Sequence, residues 1–500
     1  MQPVTVFCRA PEGLNAPEVR VEVFLGPGLP GLSIVGLVET AVKESRDRVR
    51  AAIQNSGFEM PTKRIVVSLA PADLPKNGSR YDLAIAVGIL CASEQAHTHL
   101  LPQTELIGEL SLAGELRPVA GVLPVARSAL DHDRSIIVPL ASEHDAGLLD
   151  NRRVLVAKHL IEVIQHLSGM NVLPAAQCTH PQQTETNKES PDMADVAGQT
   201  LARRALEIAA VGGHHLLLSG PPGTGKSMLA QRLPGLLPPL SHTEALETAA
   251  LYSLKNERLP RWRQRPFRAP HHSATTAALA GGNSDPRPGE ISLAHNGVLF
   301  LDELPEFNRR TLENLREPLE TGKITIARAR QTAGFPASFQ LVAAMNPCPC
   351  GYFGDNKESC QCSPDQVRRY QQRISGPLLD RIDIRIRLQR EKIRFTTDNA
   401  LTETTAEVSA RVEAARQILK ERNFCPNSRL DGEQLKRWAW PAKPGLELLE
   451  QAAEQFNLSR RACNRVLRVA RSIADLAAAS RVQKSHIAEA LNLRNPGSLA

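Results

Sequence analysis

One segment constrains the fold more than any other, because a short apolar run, a glycine-rich loop and a helix start follow one another. The run His215-Leu216-Leu217-Leu218-Ser219 is typical of a buried parallel strand, and Met228-Leu229-Ala230-Gln231-Arg232-Leu233 begins a helix. The loop between them has the spacing G-x-x-x-x-G-K-S and consists of Gly220, Pro221, Pro222, Gly223, Thr224, Gly225, Lys226 and Ser227. This order of elements is the context of a phosphate-binding loop, so the sequence predicts an α/β fold that binds a nucleoside triphosphate.

The residue types of this loop suit a polyphosphate and a divalent cation. Glycines let successive backbone N–H groups surround phosphate oxygens, and the following helix contributes the positive end of its dipole. Lys226 is expected to reach the β- and γ-phosphates, and the Ser227 hydroxyl is expected to ligate Mg²⁺. ATP and Mg²⁺ are therefore the predicted cofactors.

Two further strands are expected to complete a hydrolytic site. The apolar run 297–301 ends in Asp302 and Glu303, of which the first is predicted to hold the Mg²⁺ coordination shell and the second to activate the attacking water. The run 339–345 ends in Asn346. If its strand lies between the other two, the Asn346 amide will stand beside the γ-phosphate and position water.

The chain is too long for one hydrophobic core, so several domains are expected. We predict an α/β domain over 1–168, a linker over 169–195, an ATPase core over 196–395 and a helical lid over 396–500. The linker is indicated by a change to Gln, Thr, Glu, Asn, Ser and Pro without periodicity. In the first domain we expect strands at 19–25 and 64–69 and helices at 38–56 and 81–91.

Composition points to the cytoplasm and permits an anionic partner. The N-terminus lacks the charged and apolar regions of a secretory signal, and the longest apolar run, Leu83 to Ala92, is about half a membrane span. We therefore expect a cytoplasmic protein with no membrane contact. The formal net charge of +7 is compatible with nucleic acid but does not require it.

Four of the nine cysteines form two closely spaced pairs, Cys348 with Cys350 and Cys360 with Cys362. Reduced thiolates in two pairs suit a tetrahedral Zn²⁺ ion, although C-x-C is shorter than the usual C-x-x-C spacing. A structural zinc site is our first interpretation. A redox role and free thiols are the alternatives.

The ordered set of motifs resembles an AAA+ ATPase of the magnesium-chelatase-related branch, and more narrowly the YifB/ComM family. The resemblance covers nearly the whole chain. The AAA+ motifs are Gly220–Ser227, Asp302-Glu303, Asn346, Leu378-Leu379-Asp380-Arg381 and Ser459-Arg460-Arg461. The narrower match is carried by Asp195-Val196-Ala197-Gly198-Gln199, Gly212-Gly213-His214-His215, Phe267-Arg268-Ala269-Pro270-His271-His272-Ser273 and Asn346-Pro347-Cys348-Pro349-Cys350-Gly351.

The resemblance implies a homo-hexameric ATPase that migrates branched DNA during natural transformation, acting as a helicase or translocase on single-stranded or branched DNA. Recombinase-pathway proteins are the further partners it suggests. It implies that Arg381 is an arginine finger supplied to the neighbouring subunit and that Arg461 is a sensor contacting the γ-phosphate. With Glu303 and Asn346, these arginines make up the expected catalytic set.

The N-terminal segment is similar to the Lon-protease domain, whose fold is that of ribosomal protein S5 domain 2. The resemblance rests on Gly108–Gly121. Arg80 stands where that family has its serine, next to Ser79, and Leu123 stands where it has its lysine. A serine without a base is a poor nucleophile, so we expect a catalytically inactive domain that serves ring assembly or DNA contact.

A predicted hairpin over 322–337 is the first candidate for a DNA contact. A period of two places Ile324, Ile326, Arg328 and Arg330 on one face, apolar at the base and basic towards the tip. Related ring helicases grip nucleic acid with a hairpin at this position. Alternatively, Arg328 and Arg330 pair with acids of a neighbouring subunit, and the insertion predicted over 264–296 faces the pore.

Two other functions remain open at this stage. A metal-chelatase ATPase subunit is one, although such subunits lack both the long N-terminal domain and a cysteine-rich insertion after Asn346. An AAA+ protein remodeller or protease regulator is the other, which the Lon-like domain favours and the missing catalytic pair disfavours.

Overall fold

The computed structural model describes residues 3–36, 40–76, 78–97, 99–178, 191–282, 286–327, 332–355, 357–390, 403–422 and 425–494. Within these ranges, no helix combines the length and the apolar character that crossing a membrane requires.

The N-terminal part is built on a mixed sheet. Its strands are β1 (Val4–Arg9), β2 (Glu18–Gly26), β3 (Gly31–Val35), β4 (Arg64–Ala70), β5 (Thr104–Leu106), β6 (Glu109–Leu110), β7 (Leu116–Arg117), β8 (Ser135–Pro139) and β9 (Val154–Ala157). Its helices are α1 (Thr40–Asn55), α2 (Asp82–Ala92), α3 (Val122–Asp131), α4 (Glu143–Gly147) and α5 (Leu160–Leu167). Seven strands pair in the order β3-β4-β2-β1-β5-β8-β9, while β6 and β7 form a separate hairpin.

The elements expected from hydrophobic periodicity in this part are present. In β2, Val19, Val21 and Val23 are fully buried while the residues between them are not, as period-two alternation predicts. Helix α2 is buried along nearly its whole length. A Cβ atom added to Gly88 would lie 2.6 Å from Val23 Cγ2, so only glycine lets this helix approach the sheet so closely.

The ATPase core has a five-stranded sheet in which every pairing is parallel. Its strands are β10 (Leu216–Ser219), β11 (Phe267–Arg268), β12 (Val298–Leu301), β15 (Gln340–Met345) and β16 (Ile384–Arg387), with the hairpin β13 (Lys323–Ala327) and β14 (Thr332–Pro336). Its helices are α6 (Thr200–Gly212), α7 (Lys226–Leu236), α8 (His242–Ser253), α9 (Thr276–Ala280), α10 (Glu290–Leu293), α11 (Arg309–Glu313), α12 (Arg316–Thr321), α13 (Pro364–Gln371) and α14 (Gly376–Asp380). The strand order β11-β12-β15-β10-β16 places β15 between the two motif-bearing strands, as the sequence predicts.

The predicted insertion over 264–296 is joined to this sheet, because β11 extends its edge in parallel register with β12. The hairpin of β13 and β14 is antiparallel, with Lys323 opposite Pro336 and Ala327 opposite Thr332. Ile324 and Ile326 are buried on its inner face, as expected. Arg328 and Arg330 lie outside the described residues.

The C-terminal part is helical and shares one hydrophobic core with the ATPase sheet. Its helices are α15 (Thr405–Arg422), α16 (Gly432–Ala439), α17 (Lys443–Gln455), α18 (Arg460–Leu476) and α19 (Lys484–Asn492). Helix α15 packs against α6 and α7, and α18 packs against α6. These helices therefore cover one face of the sheet.

The two ends of the predicted linker pack on the units that flank it. Leu173 and Ala176 are buried in the N-terminal cores, and Met193 is fully buried in the ATPase core. The N-terminal part also touches the ATPase core directly, because Gly121 N–H donates to the Ser253 carbonyl over 2.8 Å and Leu14 packs on the ATPase core.

Candidate nucleotide-binding site

The glycine-rich loop connects the carboxyl end of β10 to the first residue of α7. Gly223 and Gly225 adopt φ values of +76° and +82°, a left-handed conformation that favours glycine. A Cβ atom on Gly220 would lie 2.7 Å from the Leu388 carbonyl oxygen. The glycines are thus needed both for the turn and for close packing, and the loop opens at the N-terminus of an eleven-residue helix, where backbone N–H groups bind anions.

Lys226 folds back onto this loop. Its Nζ donates to the carbonyl oxygens of Gly220 (2.7 Å) and Pro221 (2.9 Å) and to Asn346 Oδ1 (3.1 Å). Burial lowers the pKa of Lys226 to about 8, against the opposing effect of the Asp302 and Glu303 charges. A desolvated ammonium held by neutral carbonyls is poised to exchange them for phosphate oxygens, which are stronger acceptors.

Ser227 and Asp302 meet across the cleft between α7 and β12. The Ser227 hydroxyl donates to Asp302 Oδ2 over 2.6 Å. A hydroxyl and a carboxylate so close together form an oxygen donor set that fits Mg²⁺. Of the predicted residues, the structure therefore brings together Lys226, Ser227, Asp302 and Asn346.

The Glu303 carboxylate contacts a histidine. The backbone of Glu303 is left-handed, with φ of +51°, and its N–H donates to Asp302 Oδ1 over 2.9 Å. Its Oε2 lies 3.2 Å from His272 Nδ1, and the His271 ring stacks on His272 at a centroid distance of 4.1 Å. The sequence analysis names these histidines only as part of a family motif, and nothing in their spacing indicates which strand end they face.

A cavity of about 1040 Å³ lies beside the loop. Besides the loop residues 222–225 and the start of α7, it is lined by residues 195–199, Lys357, Gln389 and Arg390. Gln199 Nε2 donates to the Gln389 carbonyl over 2.8 Å, which closes one wall. The sequence analysis used residues 195–199 only as a family motif and assigned no binding role to any of these wall residues, because they come from three distant segments.

The two predicted catalytic arginines lie at the other edge of the sheet. Arg381 precedes β16, and its side chain is buried and bound to the Pro377 carbonyl and to Glu320. Arg461 is exposed in the first turn of α18 and lines a cleft with Glu320 and with residues that precede β10 and β12. Since the strands are parallel, this amino edge is opposite the phosphate loop. Neither arginine reaches the loop of its own chain.

The amino edge also holds a buried charge cluster. Asp383 is fully buried, 2.6 Å from Arg465 Nη1 and 3.5 Å from His214 Nδ1. Burial alone would raise the pKa of Asp383, but the neighbouring His214 and the charge of Arg465 hold it well below its usual range. Because Arg465 also donates to the Arg381 carbonyl over 3.0 Å, this cluster fixes the backbone that carries Arg381.

The four cysteines converge. Cys348 Sγ lies 3.3 Å from Cys350 Sγ and 3.6 Å from Cys360 Sγ, and Cys350 and Cys360 are also 3.6 Å apart. With Cys362, all four sulfur atoms lie within 4.8 Å of one another, so the cluster could hold a metal ion. Cys348 is buried, and the others are half-buried.

In the Lon-like part, the structure gives the contacts of the three residues that the resemblance places at the protease dyad. The Ser79 hydroxyl donates to Glu109, and Leu123 is buried in contact with the ATPase core. Arg80 donates to the Ala120 carbonyl over 3.1 Å.

Comparison with known proteins finds similarity along nearly the whole chain. Family models described as magnesium chelatase subunit ChlI match residues 192–395 and 21–142, and one described as the ChlI C-terminal part matches residues 402–494. An uncharacterized protein YifB from Salmonella typhimurium is 48% identical over 494 residues, covering 98% of this chain and 96% of the relative. Competence protein ComM from Haemophilus influenzae is 47% identical over 503 residues, covering 98% and 97%. Lon protease 2 from Bacillus subtilis is 24% identical over 229 residues, 41% of each chain. The chain belongs to the YifB/ComM family of magnesium-chelatase-related AAA+ proteins.

Proposed function

We propose that this protein is a Mg²⁺-dependent ATPase whose hydrolysis drives movement on DNA and remodels branched recombination intermediates in natural transformation. The observation that carries the ATPase part is the meeting of Lys226, Ser227, Asp302 and Asn346 at one edge of the sheet. The DNA part is supported by 47% identity to a protein named for competence and by the hairpin described above.

The side chains divide the chemistry among them. Lys226 neutralises the β- and γ-phosphates, and Ser227 with Asp302 would hold Mg²⁺, which neutralises charge on the same oxygens. Asn346, hydrogen-bonded to Lys226, positions the attacking water. Glu303 accepts a proton from that water, for which its carboxylate must leave His272 and turn towards the cleft.

The placement of the arginines supports a ring. A phosphate loop at the carboxyl edge and Arg381 with Arg461 at the amino edge are complementary halves of one site, which head-to-tail association brings together. If the rotation that relates neighbouring subunits brings the last subunit back to the first, the assembly is a closed ring. We propose that this ring has six subunits. Arg381 then stabilises charge on the neighbour's transferred phosphoryl group, and Arg461 contacts the γ-phosphate there.

For DNA, we propose contact by the hairpin tip, where Arg328 and Arg330 follow the described end of β13. The buried Ile324 and Ile326 hold the base of the hairpin on the ATPase core. Each phosphate contact releases counterions, so the salt slope of binding should fall by about one unit for each arginine removed.

Zinc completes the proposed cofactors. Tetrahedral Zn²⁺ with Zn–S distances of about 2.3 Å requires sulfur atoms about 3.8 Å apart. The observed separations of 3.3 to 3.6 Å among the sulfur atoms of Cys348, Cys350 and Cys360 are close to this value, so these atoms need to move little to bind the ion.

The test is stimulation of ATP hydrolysis by forked DNA. We expect forked DNA to raise the hydrolysis rate of the wild type and expect Arg328→Ala with Arg330→Ala to lower DNA affinity while basal hydrolysis survives. Lys323→Ala, which removes an exposed charge at the hairpin base, is the matched control and should keep the stimulation. Stimulation by an unfolded protein instead of DNA would favour a protein remodeller. Stimulation by neither DNA nor protein, with magnesium insertion into a porphyrin supported, would favour a chelatase subunit.

A further inference from the structure

We infer that the four-cysteine cluster forms a metal-closed wall of the nucleotide cavity, so that metal binding sets nucleotide affinity and Lys357 is a further nucleotide-binding residue. The inference rests on the proposed binding of ATP at the phosphate loop. It concerns a different segment, residues 347–362, which we call the cysteine loop.

The cysteine loop begins directly behind Asn346 and crosses over the phosphate loop. Gly351 has φ of +88°, and a Cβ atom placed on it would lie 2.7 Å from Pro222 Cδ and 3.9 Å from Asn346 Cγ. Thus Gly351, the residue after the first cysteine pair, packs closely against Pro222 of the phosphate loop and lies near Asn346, the residue that contacts Lys226. Movement of this part of the cysteine loop would therefore change the packing of both the phosphate loop and Asn346.

A second set of contacts fixes the other side of the cysteine loop. Arg387 Nη2 at the end of β16 donates to the Phe353 carbonyl over 2.6 Å. Arg390 Nη1 lies 2.7 Å from Glu358 Oε1, and the same guanidinium stands 5.2 Å from the centre of the Tyr352 ring. The cysteine loop therefore spans from the end of β15 to the end of β16, above the end of β10.

The part of the cysteine loop between the two cysteine pairs places a positively charged side chain at the cavity. Lys357 is exposed and lines the same cavity as Gly223, Thr224 and Gly225. Its side chain faces the space that takes a polyphosphate, and opposite charges attract across it. Cys348 and Cys360 are twelve positions apart in the sequence but lie 3.6 Å from each other, so a metal ion bound by both would join the two ends of the segment.

The physical consequence is a coupling between two ligands. With a metal bound, the segment is pre-ordered and the entropy of placing Lys357 has already been lost before nucleotide arrives. Without the metal, nucleotide must order the segment itself, and part of its binding free energy is spent on this. Metal and nucleotide therefore favour each other's binding to the same extent.

The experiment uses the full chain purified without chelators, zinc analysis by mass spectrometry, and titration with a fluorescent ATP analogue. We expect about one zinc per chain. Lys357→Ala should keep the zinc and weaken nucleotide binding about fivefold, the effect of one partly exposed ionic contact. Lys357→Arg should restore binding. Lys443→Ala, an exposed lysine on α17 outside the cavity, should leave both zinc and affinity unchanged.

Metal removal is the second arm. Stripping zinc from the wild type with a thiol-directed mercurial, then reducing it, should weaken nucleotide binding further than Lys357→Ala does, and added Zn²⁺ should restore it. Cobalt substitution should give the visible d–d bands and the near-ultraviolet thiolate-to-cobalt absorption of a tetrahedral four-sulfur site, which report on the cluster independently of activity. Cys350→Ser with Cys360→Ser should lose both signals.

Three results would overturn the inference and differ from one another. If freshly purified wild type contains no zinc, the cluster is not a zinc site. If zinc is present but its removal leaves nucleotide affinity unchanged, metal and nucleotide binding are not coupled. If Lys357→Ala binds nucleotide as tightly as the wild type, Lys357 does not contact the nucleotide. Failure of the zinc-loaded wild type to bind nucleotide at all contradicts the proposed function instead.

Discussion

Raising the pH should weaken nucleotide binding through one side chain, Lys226. Burial lowers its pKa to about 8 in the free protein, and the triphosphate will raise that pKa again by replacing neutral carbonyls with anionic oxygens. Binding therefore requires a proton on Lys226. Below pH 8 most of the free protein already carries this proton. Above pH 8 the fraction of protein with a protonated Lys226 falls about tenfold for each pH unit. Between pH 7 and 9.5 the dissociation constant should rise about 30-fold.

The assay is a titration of a fluorescent, slowly hydrolysed ATP analogue at constant ionic strength from pH 7 to 9.5. Above pH 7.5 the analogue's phosphates are fully ionised, so they do not contribute to the slope. The matched variant is Lys226→Arg, whose guanidinium stays charged over the whole range. It should bind more weakly than the wild type at pH 7, because an arginine does not fit the same carbonyl contacts, and its affinity should be flat with pH.

A wild-type affinity that stays constant from pH 7 to 9.5 would refute this reasoning, since Lys226 would then keep its ordinary pKa. A loss that runs in parallel in the wild type and in Lys226→Arg would refute it too, because another group would be responsible.

Two further predictions concern the amino edge of the sheet. Arg381→Ala should leave nucleotide binding nearly intact and cost on the order of 10³-fold in turnover. Mixing it with Lys226→Ala subunits should restore part of the activity, because each variant damages the opposite side of a shared site; no rescue in verified mixed rings would exclude action in trans. Asp383→Asn should lower the free energy of unfolding by about 3 kcal/mol at pH 7, since it removes the buried carboxylate that pairs with the half-buried Arg465 guanidinium. Because folding lowers the pKa of Asp383, its ionised carboxylate stabilises the fold at pH values above its pKa in the unfolded chain, and this stabilisation is lost as the pH falls. In urea unfolding, the difference in unfolding free energy between wild type and Asp383→Asn should therefore shrink below about pH 4. A difference that stays constant with pH would contradict this.

The strands and the phosphate loop were predictable because their signals are local. Three leucines before a glycine-rich loop specify β10, and alternation specifies β2. The position of Asn346 beside Lys226 was also predictable, because a strand placed between two others in a parallel sheet has its carboxyl end between theirs.

What the sequence did not indicate depends on contacts between distant segments. Nothing near Lys357 or Gln389 signals a cavity wall, because the chain brings them together only through the crossing from β15 to β16. Arg461 opens its predicted helix, but its distance from its own phosphate loop follows from packing of α18 on α6, which helix periodicity does not encode. His272 reaches Glu303 through a loop with no regular pattern.

ATP-driven migration of a synthetic DNA branch tests the central claim most directly. With Mg²⁺ and ATP, the wild type should convert a fluorescently labelled four-way junction into separate duplexes, and the rate should follow ATP hydrolysis. Glu303→Gln, which keeps Lys226, Ser227 and Asp302 and so still binds ATP, should bind the junction and leave it intact. Hydrolysis by the wild type without any junction conversion, or conversion by Glu303→Gln at the wild-type rate, would contradict the account.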